Sequence, residues 1–158
     1  MKIALSQLNY LIGDFEGNTE KIIKAIDNAR RKNADLVVFS ELAITGYSPR
    51  DLLEFDGFLN QTNNVIDEIA LHTNNIGVII GAPVKNHHPK GKPLYNAGLF
   101  IYQNKVQSIH PKALLPNYDI FDEYRYFESG TNKSLIEFKG YRIALTICED
   151  IWNLTDHP

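Results

Sequence analysis

The chain has 158 residues, 44% of them hydrophobic and 22% charged, with a net charge of −3. That length makes one ordinary domain, and that balance is typical of a soluble globular one. The weak acidic balance offers no electrostatic hold on nucleic acid or an anionic membrane, and no apolar run is long enough to span a bilayer. The opening K-I-A-L-S-Q-L lacks the apolar core and cleavage site of a secretory leader, and the single cysteine cannot close an internal disulfide. Both features point to a reducing cytoplasm.

Residues 2–9 are predicted as a first strand, with Ile3 and Leu5 apolar, followed by a turn over 13–17. Asn18 caps a predicted helix that runs to about residue 32. Ile22, Ile23, Ile26 and Ala29 form its apolar stripe, and Arg30, Arg31 and Lys32 suit its negative end. Residues 35–39 (D-L-V-V-F) are a second strand, apolar enough to be covered on both faces. A strand–helix–strand crossover of this length implies parallel pairing in an α/β layer.

Ser48-Pro49-Arg50-Asp51 looks like a helix start, with Ser48 as cap and Pro49 at the first helical position. A second amphipathic helix is predicted over 59–72, with Val65, Ile66, Ile69 and Ala70 inward. Residues 76–80 (I-G-V-I-I) are a third buried strand, closed by Gly81. The basic stretch 85–93 reads as a solvated connection, because no aromatics interleave it. Residues 94–102 and 105–110 form an antiparallel pair around a Gln103-Asn104 turn. Segment 111–134 is long, aromatic and without period, which marks a functional loop or a packed Ω-loop. Residues 135–138 and 141–147 form a last hairpin, the second strand apolar and buried. It delivers Cys148 to the start of a helix that carries Glu149 and Asp150 in its first turn.

Three reactive side chains stand at strand ends: Glu41, Lys112 and Cys148. Glu41 reads either as a solvated loop residue or as a site residue, since sites of parallel sheets gather at the carboxyl ends of strands. Cys148 reads either as a small buried apolar residue or as a nucleophile whose pKa is lowered by helix-end N–H groups. The five His residues (72, 87, 88, 110 and 157) show no metal-ligand spacing and no setting for a base to Cys148. A Glu can take the thiol proton, and a Lys ammonium can hold a developing oxyanion. That set suits attack on a carbonyl or nitrile carbon with loss of ammonia.

The carrying stretches are S-E-L-A-I-T-G-Y-S-P-R-D-L-L from Ser40, P-K-A-L-L-P-N-Y-D-I-F-D-E-Y-R-Y-F from Pro111, and T-I-C-E-D-I-W from Thr146. In these, and in their order, the chain resembles the nitrilase (carbon–nitrogen hydrolase) superfamily, whose members carry a Glu-Lys-Cys triad. The P-N-Y-x-x-F-D-E-Y-R-Y-F run resembles most the glutaminase domains of the glutamine-dependent NAD synthetase family. The resemblance implies an αββα sandwich, here truncated, with mixed sheets inside and helices outside. It implies that residues 1–158 are the N-terminal part of the glutaminase domain. The rest of that domain and an ATP-dependent synthetase domain would lie beyond.

By the same resemblance Glu41 is the general base, Lys112 the catalytic lysine and Cys148 the nucleophile. Glu123 matches the glutamate that positions the lysine and substrate, and Tyr118 a glutamine-binding residue. Tyr47, Glu149 and Trp152 match further residues of that pocket. L-Glutamine is the implied substrate. Deamido-NAD, ATP and Mg²⁺ are implied for the absent synthetase domain, with no cofactor in this part and a homo-oligomeric assembly. Two other readings remain: a stand-alone nitrilase-type amidase or carbamoylase, and an inactive folded fragment.

Overall fold

The computed structural model describes residues 1–131 and 135–152. The first strand, β1, is Ile3–Leu5, and a 17-residue helix, α1, follows at Phe15–Arg31. The second strand, β2, is Leu36–Val38. A short 3₁₀ turn at Arg50–Glu54 leads into a second helix, α2, at Asp56–Ala70. Three longer strands come next: β3 at Gly77–Lys85, β4 at Leu94–Tyr102 and β5 at Lys105–Pro111. After the short helix α3 at Glu123–Tyr126, a hairpin of β6 (Ile136–Phe138) and β7 (Tyr141–Ile143) ends in a 3₁₀ turn at Cys148–Trp152.

The five strands β1 to β5 form one mixed sheet in chain order. The β1–β2 and β2–β3 pairs are parallel, as a helical crossover demands, and β3–β4 and β4–β5 are antiparallel. The helices cover one face of this sheet. Ile22, Ile26 and Ala29 of α1 and Val65 and Ile69 of α2 pack on Val37, Val78, Ile80, Ala97, Leu99 and Ile101. The other face is covered locally by the hairpin, with Ile136 and Phe138 set against Leu36, Ile79 and Phe100. Each such isoleucine, fully buried, contributes roughly 1.5–3 kcal/mol. The α/β class and the parallel crossover are therefore as the sequence implies.

Several boundaries differ from expectation. The first strand is three residues long, not eight, because β1 lies at the sheet edge with only β2 beside it, and Leu5 is 79% exposed. The cap of α1 is Asp14, whose carboxylate accepts the Gly17 N–H at 3.0 Å. Asn18 sits inside the helix and is buried. It accepts the Leu11 N–H and donates to the carbonyls of Leu11 and Ile44, tying the helix to two loops. Ser48 caps nothing: the helical turn there is 3₁₀, preceded by Pro49, with no side-chain cap bond. Gly81 does not close the third strand but lies in its middle, since β4 pairs along its whole length.

The last strand is also shorter and wetter than expected. It stops at Ile143, and Tyr141 is 52% exposed. Beyond it Leu145 and Ile147 turn towards the main sheet while Ala144 and Thr146 face outward, so only one side of the run is covered. The long aromatic segment keeps its irregular course except for α3, and its positions 132–134 lie outside the described residues, as does His157.

Candidate active site

Two loops and one short helix bring the candidate groups together. After β2, the chain crosses the centre of the sheet at Ser40 and Glu41. The Phe39 N–H donates to the Ile79 carbonyl and the Gly81 N–H to the Ser40 carbonyl. A Cβ on residue 81 would sit 2.4 Å from the Leu42 nitrogen and 2.8 Å from the Glu41 Cα, so only glycine admits this contact. Lys112 follows directly on β5. Its N–H donates to the Asn96 carbonyl at 2.8 Å, and its carbonyl accepts the Gly130 N–H at 2.8 Å.

The Lys112 side chain is wholly buried. Its Nζ donates to Glu41 Oε1 at 2.6 Å and to both oxygens of Glu123, at 2.9 and 2.8 Å. All three ammonium protons are therefore engaged. Glu123, at the start of α3, is 2% exposed and also accepts the Tyr47 hydroxyl at 2.9 Å. Asn96, in the middle of β4, donates through Nδ2 to Glu41 at 2.7 Å and to Glu123 at 3.3 Å. Its Oδ1 is buried with no partner among the described residues.

Burial works against the Lys112 ammonium, but the bonds to Glu123 and Glu41 outweigh it and hold its pKa above the usual value. Burial raises the Glu123 pKa, helped by the Glu41 charge and opposed by Lys112 and Tyr47. Burial and the adjacent Glu123 also push the Tyr47 hydroxyl far up, so it stays protonated and donates to Glu123.

Cys148 opens the last 3₁₀ turn with a φ of 45°, a left-handed conformation rare for this residue type. It lines a small cavity of about 130 Å³ shared with Glu41, Asn96, Gly81, Gly98 and Ile147. Leu145 closes one wall against Gly98, where a Cβ would lie 2.4 Å from Leu145 Cδ2. The expectation of a depressed thiol pKa is corrected here. Burial raises it, and the charges of Glu41, Glu123 and Glu149 add to the rise against the opposing Lys112. The turn is a single 3₁₀ segment, and three carboxylates outweigh one ammonium.

A separate, wider recess of about 310 Å³ is lined by Leu114, Asn117, Tyr118, Tyr124 and Glu149, the residue after Cys148. The Tyr118 hydroxyl donates to Glu149 Oε2 at 2.8 Å, and the Tyr118 ring meets Phe121 edge-on. Tyr47 stands behind Glu123 rather than in either recess, and Trp152, 70% exposed, lines neither.

The sequence profile of the carbon-nitrogen hydrolases matches residues 2–155. The chain belongs to this family. Among similar proteins is the glutamine-dependent NAD(+) synthetase of Aquifex aeolicus, 41% identical over 96% of this chain and 26% of that protein. The enzyme of the same name from Thermotoga maritima is 37% identical over 97% of this chain and 26% of its own. The chain thus spans about a quarter of the length of these curated relatives. The solved glutamine-dependent NAD+ synthetase of Acinetobacter baumannii superposes with a TM-score of 0.88 at 31% identity, covering 96% of this chain and 28% of that one. An amidase from Nesterenkonia sp. shares the fold, with a TM-score of 0.81 at 20% identity over 96% of this chain and 56% of its own.

For a carbon-nitrogen hydrolase the arrangement sets Cys148 and Glu41 on one small cavity, with the buried Lys112 ammonium bonded to Glu41 behind it. Among the described residues no group of His, Cys, Asp and Glu is placed to hold a metal ion, and no helix is long and apolar enough to cross a membrane. Asn96 is the member of the cluster that sequence reasoning passed over. Its signal was a lone amide inside the apolar run L-Y-N-A-G-L, where a polar side chain needs a buried partner.

Proposed function

We propose that this chain is the nucleophile-bearing, N-terminal part of a glutaminase domain. In this reading it releases ammonia from the glutamine side chain for the ATP-dependent amidation of deamido-NAD. The observation that carries the reading is the wholly buried Lys112, gripped by Glu41 and Glu123, where Glu41 shares a cavity with the Cys148 thiol. The similarity to glutamine-dependent NAD synthetases over nearly the whole chain supports the choice of substrate.

The thiol pKa is raised, so the resting nucleophile is S–H and needs a base at the moment of attack. Glu41 takes that proton as Sγ bonds to the amide carbon. The tetrahedral oxyanion is held by Lys112, which turns one proton to it by releasing one oxygen of Glu123, and by backbone N–H groups at the Cys148 turn. Glu41 returns the proton to the amide nitrogen, the C–N bond breaks, and ammonia leaves. Glu41 then takes a proton from water, which attacks the thioester. The C–S bond breaks, glutamate departs, and the thiolate recovers the proton. Losing one oxyanion donor of this kind costs about 10²–10³ in rate.

Glu149, bonded to Tyr118 and next in sequence to Cys148, would receive the α-ammonium of glutamine, which favours an amino-acid amide over a simple one. ATP, Mg²⁺ and deamido-NAD would bind to parts of the protein outside this chain, and the whole would assemble as a homo-oligomer. The single free cysteine suits a reducing cytoplasm.

The deciding experiment is Cys148→Ala in the full-length enzyme. Glutamine-driven NAD synthesis is expected to vanish while ammonia-driven synthesis persists; equal loss of both overturns the assignment. Ammonia release measured across ω-amides and N-carbamoyl acids should rank glutamine first. A simple amide or a carbamoyl acid in that place would favour a stand-alone amidase.

A further inference from the structure

We propose that Asp150 is a positioning residue that ties the segment behind Lys112 to the turn carrying Cys148, and so fixes the ammonium and the thiol relative to each other. This rests on the reading of Lys112 and Cys148 given above.

The Asp150 carboxylate spans two distant pieces of chain. Oδ1 accepts the Ala113 N–H at 3.0 Å and the Leu114 N–H at 2.8 Å. Oδ2 accepts the Ile147 N–H at 3.0 Å, and the Asp150 N–H donates back to the Ile147 carbonyl at 3.1 Å. One side chain thereby holds the two residues after Lys112 and the residue before Cys148. Neither segment has a sheet partner at this point, since β5 ends at Pro111 and β7 at Ile143. A carboxylate accepting three backbone N–H groups is a strong, oriented anchor. The Ser129 hydroxyl donates to the Ala113 carbonyl from the other side, so the anchored strand end is gripped twice.

A purely local role would stop at Ile147, three residues away, as in an ordinary turn. The bonds to Ala113 and Leu114, 37 and 36 residues away, are not local. They also oppose the cost of the left-handed Cys148 backbone, which needs surrounding structure to persist. Asp150 lines neither recess, so it acts through other residues and not on the substrate.

The test uses the full-length protein with Asp150→Asn and Asp150→Ala. Asp150→Asn keeps the shape and one acceptor oxygen but turns an amide N–H₂ against a backbone N–H on the other side. Two readouts are taken: kcat and KM for glutamine hydrolysis, and the rate of Cys148 alkylation by iodoacetamide across pH. Charged groups around the thiol are Glu41, Glu123, Glu149 and Lys112. Loss of the Asp150 charge alone would lower the alkylation midpoint, so the rise expected as the loosened tie moves Lys112 off reports displacement and not charge removal, and a fall in both variants would overturn the proposal. The kcat should fall about 10²-fold in Asp150→Ala and less in Asp150→Asn, with KM nearly unchanged, as expected for misplaced reacting groups.

Parental kcat and an unshifted alkylation profile in both variants would overturn the proposal, as would a rise in KM alone. If Asp150→Ala does not fold, the near-isosteric Asp150→Asn decides by the same criteria. If the parent protein does not hydrolyse glutamine, the functional reading fails, yet the alkylation profile still decides the role of Asp150.

Discussion

Replacing Lys112 by Met tests whether the buried ammonium holds the cluster together. Met keeps most of the apolar stem in place and removes only the charge and its three donors. What remains is Glu123, 2% exposed, and Glu41, partly exposed, both still bound to Asn96 but without a counter-charge. Stripping one partner from a buried ion pair costs about 3–5 kcal/mol. An exposed pair would cost about 0–1 kcal/mol. Glu123 limits the damage by taking a proton, because burial already raises its pKa and Lys112 is a main opposing influence.

The sign of the pH dependence follows. A carboxyl whose folded pKa is raised stabilises the fold below its unfolded pKa and loses that contribution as pH rises through the folded value. The stability gap between Lys112→Met and the parent should therefore be widest near neutral pH and narrow on acidification. Urea titration of both proteins at about pH 7.5 and pH 5 reads this gap directly. The double variant Lys112→Met/Glu123→Gln, which removes the stranded charge, should recover a large part of the loss. A gap under about 1 kcal/mol that does not change with pH would refute the reasoning, since it would place the pair in solvent.

Glu41→Gln should move two observables in opposite directions. The Glu41 charge raises the Cys148 pKa, so its removal lowers that pKa and speeds iodoacetamide alkylation near neutral pH, while glutamine turnover collapses for want of a base. Slower alkylation together with slower turnover would contradict the electrostatic account. Tyr47→Phe removes one hydrogen bond to a buried carboxylate, worth about 1.5–3 kcal/mol, and frees Glu123 to swing. It should lower stability by that amount and reduce kcat more than it raises KM, as stopped assays over a range of glutamine concentrations would show.

The parallel α/β order was legible because it is written locally. A period-3.6 stripe between two short apolar runs can be read off residues 2–39 without knowledge of the rest of the chain. The candidate site was legible for a different reason: Glu41 and Lys112 come shortly after strands, where such sheets place reactive groups, and Cys148 sits in a motif of its own five residues past the end of β7. What stayed hidden depends on contacts distant in sequence. Asn18 looks like a cap, but its amide serves Leu11 and Ile44, while Asp14 makes the capping bond. Gly81 looks like a strand terminator because nothing local reveals that β4 continues the ladder beyond it. The thiol pKa was misjudged for the same reason. A helix start is visible in the sequence, whereas three carboxylates gathered from residues 41, 123 and 149 are not. Asn96 needed the fold to show that one amide meets both Glu41 and Glu123.

The absence of a side chain at position 81 lets the backbone of Glu41 lie directly on the middle strand of the sheet, while Tyr118 and Glu149 sit outside the sheet, on a loop and a 3₁₀ turn. On the proposed reading, proton handling and selectivity would therefore rest on separate supports. Descendants of this scaffold can exchange rim side chains to admit a different molecule without retuning the acid–base apparatus. A methyl group at position 81, on the wall of the Cys148 cavity, would push the Glu41 backbone off the sheet whatever the rim side chains were.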